Sequence, residues 1–232
     1  MKMIKNSLKA ASYAAMFKIS GLLKVSFLLG SQMIWFSASN SVLPLAGAFG
    51  GVMGCGLVFL LRQLIHLAFF KTVSLSFLAF CVPGFCASLY WATNHYLIRL
   101  LLPIACMGLF VIHPVGAQAF VYSLYWLIPV VLYFLPQRFV RRSFSEGGSL
   151  FLQALGSTFV AHAVGSVIWL YTVPMTASMW LALMPIVFFE RMLFAVGMVV
   201  AHRVISSIFG LIDAVVTETD VRMLRQAQHE RN

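Results

Sequence analysis

The sequence predicts an all-α, polytopic membrane protein with six spanning helices and one short re-entrant or surface-lying segment. Three observations predict it. Of 232 residues, 61% are hydrophobic and only 9% charged, with a mean hydropathy of +0.93; a water-facing domain carries about 25% charged residues. The apolar residues gather in runs long enough to cross a hydrocarbon core of roughly 30 Å, which takes about 20 helical residues. Both parities are apolar over stretches such as 120–136. That excludes a membrane β-barrel, whose strands alternate apolar and polar over about 10 residues.

The segments run 19–38, 45–70, 72–92, 97–112, 116–136, 149–172 and 177–208, separated by turn residues such as Asn40, Pro44, Asn94, Pro114, Gly147, Gly148 and Pro174. Residues 1–216 form a single helical membrane domain. Residues 217–232 are polar with both charge signs and read as a solvated or disordered cytoplasmic tail. The basic N-terminal flank lacks a cleavage site followed by a soluble domain, so the first apolar segment is expected to stay as an anchor.

The formal charge of +10, from 16 Lys+Arg against 6 Asp+Glu, reads as a topology signal, because basic residues collect at cytoplasmic helix ends. No nucleic-acid partner is expected. Lys2, Lys5, Lys9, Lys18 and Lys24 place the N-terminus in the cytoplasm, and Arg62 and Lys71, two spans later, fall on the same side. Seven full spans would put Arg138, Arg141 and Arg142 outside. If 97–112, which is short and contains Arg99 and Pro103, enters without crossing, six spans remain and every basic cluster is internal. Both termini are then cytoplasmic in a plasma (inner) membrane, and 39–46, 93–115 and 173–177 face outward. Residues 93–115 become an expected lid or cavity wall, since irregular backbone at membrane depth must line protein or a water-filled cavity.

Ionisable side chains near the bilayer centre cost about 2.5–3.5 kcal/mol on insertion scales and so face the bundle interior or a cavity. His162 and Glu190 qualify. Each lies 13 residues into its segment, roughly 20 Å of helix. A packing role, in which His162 bonds a facing helix and Glu190 joins an interhelical pair, weighs about as much as ligand contact. Arg191 points about 100° away from Glu190 on a helix, so the two are not expected to face one cavity, and one is left to pair with a neighbouring helix.

On the expected outer side, Ser39, Asn40 and Ser41 form a polar connection, and His95, Arg99, His113 and Gln118 border the short segment. Trp169, Tyr171 and Trp180 read first as interfacial anchors. Tyr122 and Trp126, four apart on one helical face, suit stacking on a planar ligand.

The four cysteines, Cys55, Cys81, Cys86 and Cys106, lie inside apolar segments without CxxC spacing and read as packing residues. No cofactor or metal is expected: His113 and His162 as a haem pair would be a nonspecific match. HExxH, GxSxG and phosphate-loop motifs are absent, so any ATP-derived energy must come from another chain.

Small residues recur at four-residue spacing, notably Ala10 and Ala14 on the basic extension ahead of the first segment, a spacing that lets helix backbones approach closely. With six spans, internal termini and the helical pair over 165–204, the chain resembles the membrane-embedded substrate-binding (S) component of energy-coupling-factor vitamin transporters over residues 8–205. That resemblance implies that Ala10 and Ala14 dock a transmembrane coupling subunit, itself served by ATP-binding subunits. It also implies an outward cavity that holds a small solute.

The leading expectation is therefore a transporter subunit that takes up a small, planar, vitamin-like solute. His162 and Glu190 would lie at the cavity floor, with Tyr122, Trp126 and Arg99 nearer its mouth and Asn40, His113 and Gln118 around it. Two alternatives from other classes are an intramembrane enzyme using Glu190, His162 or His113, and a structural membrane protein in which these residues only join helices.

Overall fold

The computed structural model describes residues 44–71, 75–135 and 146–229, and every element among them is helical. In chain order they are α1 (Leu45–Phe70), α2 (Leu75–Ala92), a π-helical turn (Leu97–Leu101) leading into α3 (Leu102–Ile112), α4 (Pro114–Gln118), α5 (Phe120–Ser123), a 3-10 turn (Leu124–Trp126), α6 (Leu127–Phe134), α7 (Glu146–Thr172) and α8 (Ala177–His229). The expected first span at 19–38 lies outside the described residues, as do Ala10, Ala14 and Asn40.

Three stretches are long and apolar enough to cross a membrane: Leu45–Phe69, Gly147–Thr172 and Ala177–Leu211. Large apolar side chains project outward from them, among them Met53, Phe69, Phe189 and Leu193. Such surface would drive association in water and is at home among lipid chains. The described chain is all-helical, and its long helices are compatible with a membrane.

Local chemistry explains the breaks. Within α1, Gly51 adopts φ 58°, ψ −157°, a backbone region essentially reserved for glycine. The Cys55 thiol donates to the Gly51 carbonyl that the interruption leaves available (3.2 Å). The span expected over 116–136 is not one helix but α4, α5, the 3-10 turn and α6. Proline has no N–H to donate, and Pro129 is accommodated in the first turn of α6, where helix donors lack partners anyway. At the other end Gly116 packs so tightly on the Phe110 carbonyl that a Cβ would collide with it. The segment read as a polar tail begins as helix: α8 continues without interruption through His229.

Side-chain register gives the direction of each pass. Gly47 abuts the Ser88 carbonyl, Ser88 Oγ donates to Cys55 Sγ (3.0 Å), and the Phe59 and Phe85 rings meet at 4.9 Å, so α1 and α2 are antiparallel. Gly156 lies against Tyr90 and Gly165 against Pro83, so α2 and α7 are antiparallel as well. Arg99 bonds the end of α2, through the Tyr90 and Thr93 carbonyls, while Tyr171 Oη, at the end of α7, donates to the Leu109 carbonyl (2.9 Å). Residues 97–112 thus run alongside α7 from one end of the bundle to the other.

This corrects the expected topology. The stretch around Pro103 does not double back; it traverses the bundle, and 114–134 returns. One end, the near end, holds the start of α1, residues 93–96 and the start of α7. The far end holds Lys71, His113 and residues 173–176. The sequence reading had placed Lys71 and 173–177 on opposite faces. The difference follows from 97–112, which was expected to enter without crossing and instead runs the length of the bundle.

Among the described residues two large clusters fill the interior, beside the small contact of Ala46 with Val58. Near-end residues Leu45, Trp91, Ala154, Phe159, Ala195 and Phe209 form one, and far-end residues Phe110, Tyr122, Trp126, Ala163, Leu170 and Trp180 form the other. In the near-end cluster the His202 imidazole is sandwiched between Phe49 (4.9 Å, 22°) and Trp91 (5.7 Å, 18°).

Candidate functional site

The far-end cluster contains a polar centre. His162 projects from the middle of α7, and its Nε2 lies 2.9 Å from Tyr122 Oη and 3.3 Å from Ser166 Oγ, one helical turn along. In the neutral tautomer with Nε2 unprotonated, the Tyr122 hydroxyl donates to Nε2 and the Ser166 hydroxyl competes for the same lone pair at longer range; in the other tautomer Nε2–H donates. The pair bridges α5 and α7.

Aromatic rings wall this centre. Phe110 stacks on Tyr122 (5.7 Å, 19°) and meets Trp126 and Trp180 edge-on at 5.2 and 5.3 Å. Trp180 also meets Tyr122 edge-on at 4.9 Å. Tyr122, Trp126 and Trp180 are all at most 2% exposed. Yet the indole N–H groups of Trp126 and Trp180 have no hydrogen-bond partner among the described residues. A buried donor left unsatisfied is costly, and two of them beside a histidine–tyrosine pair mark a place in the far-end cluster where polar capacity is unspent among the described residues.

Of the residues singled out from sequence, Tyr122, Trp126 and His162 come together here. The other four described ones, Arg99, His113, Gln118 and Glu190, do not join them. Arg99 is half-buried and committed elsewhere: its Nη2 and Nε donate to the Tyr90 and Thr93 carbonyls (2.9 and 3.1 Å), and its guanidinium lies 4.3 Å from the centre of the Tyr90 ring. It clamps the C-terminus of α2. His113 caps α4 through a bond that its Nδ1 accepts from the Val115 N–H (3.3 Å), and its ring abuts Tyr171. Gln118 is exposed.

Glu190 also departs from expectation. It pairs with its sequence neighbour Arg191 (3.0 Å), the long arginine side chain closing the angular gap, and the Glu190 side chain is 41% exposed. Arg191 is the buried member of the pair, at 6%. It falls on the interior stripe of α8, formed by Trp180, Val187, Arg191, Ala195, Met198, Ile205 and Phe209. Those intervals of three, four and seven residues hold one helical face.

Phe110, Ser166, Trp180 and Arg191 are site residues that sequence reasoning did not place. Trp180, read as an interfacial anchor, is a core residue, whereas Trp169 and Tyr171 are exposed at the far end. The three- and four-residue intervals that align Trp180 with Arg191 were a usable signal for both. His95 remains exposed at the near end, stacked on Tyr96. The cysteines sit within the helices, three of the four buried, consistent with packing.

The chain matches no family model, no curated protein and no solved structure.

Proposed function

We propose that the chain is a membrane transporter subunit that binds a small, planar solute at the His162–Tyr122 centre, entering from the far end of the bundle. The observation that carries this reading is the convergence of a buried histidine–tyrosine hydrogen bond with two unpartnered indole donors between aromatic walls. Intramembrane ionisable residues mark solute pathways more often than chance, and aromatic walls with few convergent polar groups suit a planar molecule. His162 would orient the solute, Tyr122 would set the tautomer of the imidazole, and Trp126 and Trp180 would supply donors.

In this reading the membrane is crossed six times, by α1, α2, residues 97–112, residues 114–134, α7 and α8. The near end is cytoplasmic, because the Arg138, Arg141 and Arg142 loop joins α6 to α7 there. The C-terminus is cytoplasmic in the same reading, and so, by its lysines, is the N-terminus. An energy-coupling partner complex, with Ala10 and Ala14 docking its transmembrane subunit, rests on the resemblance to energy-coupling-factor S components.

A second reading has one observation in its favour: the faces of Phe110 and Tyr122 already cover each other, as in a cluster that serves only to join helices. Mass spectrometry of small molecules released from the purified protein, wild type against His162→Ala, separates the two. A planar compound present in the first and lost in the second is expected. A folded wild-type protein that releases nothing, and in which His162→Ala changes stability but not uptake, would leave the structural reading.

A further inference from the structure

We infer that Arg191 is the anion-recognising group of this chamber and that the solute it selects carries a carboxylate. The inference rests on the solute-chamber reading above and adds the ligand's charge.

Arg191 lies on the buried stripe of α8, three turns beyond Trp180 and one turn beyond Val187, both members of the cluster that walls His162. Its hydrogen-bonding capacity is only partly used. Nη2 pairs with Glu190, which sits off the stripe and is partly exposed, and the guanidinium lies 5.0 Å from the centre of the Phe194 ring. Nε is buried and has no hydrogen-bond partner among the described residues.

A guanidinium presents its donors as a planar fork matched to a carboxylate. One arm of the fork is held by Glu190, which fixes the plane, and the Nε side is left unpaired. A solute carboxylate bonded there would satisfy the unspent donor. Its ring would extend along the stripe toward Trp180 and Tyr122. Glu190 would then act as a positioning residue, and Arg191 would discriminate an acid from its amide, which has the same shape without the charge.

The test is thermal unfolding of the full chain in detergent, with matched planar acids and amides as probes: benzoate against benzamide and 2-naphthoate against 2-naphthamide. Wild-type protein is expected to be stabilised by the acids at about tenfold lower concentration than by the amides. Arg191→Gln is expected to lose that preference. Arg191→Lys, which keeps the charge without the fork, is expected to retain a weaker one, and it carries the comparison if Arg191→Gln does not fold. Arg203→Gln, exposed on the same helix, is expected to respond as wild type.

Equal response to acid and amide in the wild type, or an acid preference that survives in Arg191→Gln, would overturn the role of Arg191 and leave the chamber standing. No stabilisation of the wild type by any of the four probes would overturn the carboxylate assignment. If the purified protein also released no small molecule, the chamber would fall with it.

Discussion

Tyr122 Oη and His162 Nε2 lie 2.9 Å apart, joining side chains 40 residues distant in sequence at the buried centre of the far-end cluster. Interhelical hydrogen bonds of this kind average about 0.6 kcal/mol in membranes and reach about 1.7. Tyr122→Phe is expected to lower unfolding stability by about 1 kcal/mol and to leave the aromatic packing intact. Equilibrium unfolding in mixed detergent measures it; a loss several times larger would mean that the hydroxyl has partners beyond His162 and Ser166.

The helix directions make a labelling prediction. In a background without native cysteines, single cysteines at Lys71 and Thr176 are expected to react with an impermeant thiol reagent from the same side of the membrane, and one at Asn94 only from the other. Opposite reactivity at Lys71 and Thr176 would refute the antiparallel order of α2 and α7. A tag at residue 2 that is protected wherever Asn94 is protected would support an N-terminus on the near-end side.

Glycines at helix contacts should divide sharply. A Cβ on Gly47 would run into the Ser88 carbonyl, a backbone atom that can retreat only by separating α1 from α2, whereas Gly50 has nothing within 4 Å. Gly47→Ala is expected to cost about 1–3 kcal/mol or more. Gly50→Ala is expected to be neutral or stabilising by up to about 1 kcal/mol. Parallel melting curves of the two variants provide the comparison.

Gly51 has equally open surroundings, but its φ of 58° makes the backbone itself the constraint. Gly51→Ala is expected to destabilise by about 1–3 kcal/mol with no steric clash to blame. If it melts like Gly50→Ala, the interruption in α1 is not required by the fold.

Arg99 holds the Tyr90 and Thr93 carbonyls with two different nitrogens. Arg99→Ala is expected to cost about 2–3 kcal/mol, as charged donors to a helix end are worth more than neutral ones. Lysine offers a single point of charge and should recover little of it. Full rescue by Arg99→Lys in a thermal melt would show that charge, not the fork, secures the end of α2.

Much of this was legible in the chain itself. Its charge-poor, strongly apolar composition determined a helical membrane protein, because only intrahelical hydrogen bonding satisfies so many backbone groups away from water. The limits of α1, α7 and residues 97–112 followed from apolar runs ended by Pro44, Gly147 and His113-Pro114. The depth rule brought out His162, and a four-residue interval paired Tyr122 with Trp126. What composition and periodicity do not encode is which faces meet. That Tyr122 reaches His162, 40 residues away, that Arg99 is spent on the end of α2 rather than on a solute, and that Trp180 turns inward are properties of how the segments pack. The path of residues 97–112 was likewise decided only in three dimensions: charge placement reports which loops stay inside, but the direction of a short helix is set by the neighbours that satisfy its two ends, Tyr90 and Thr93 at one and Tyr171 at the other.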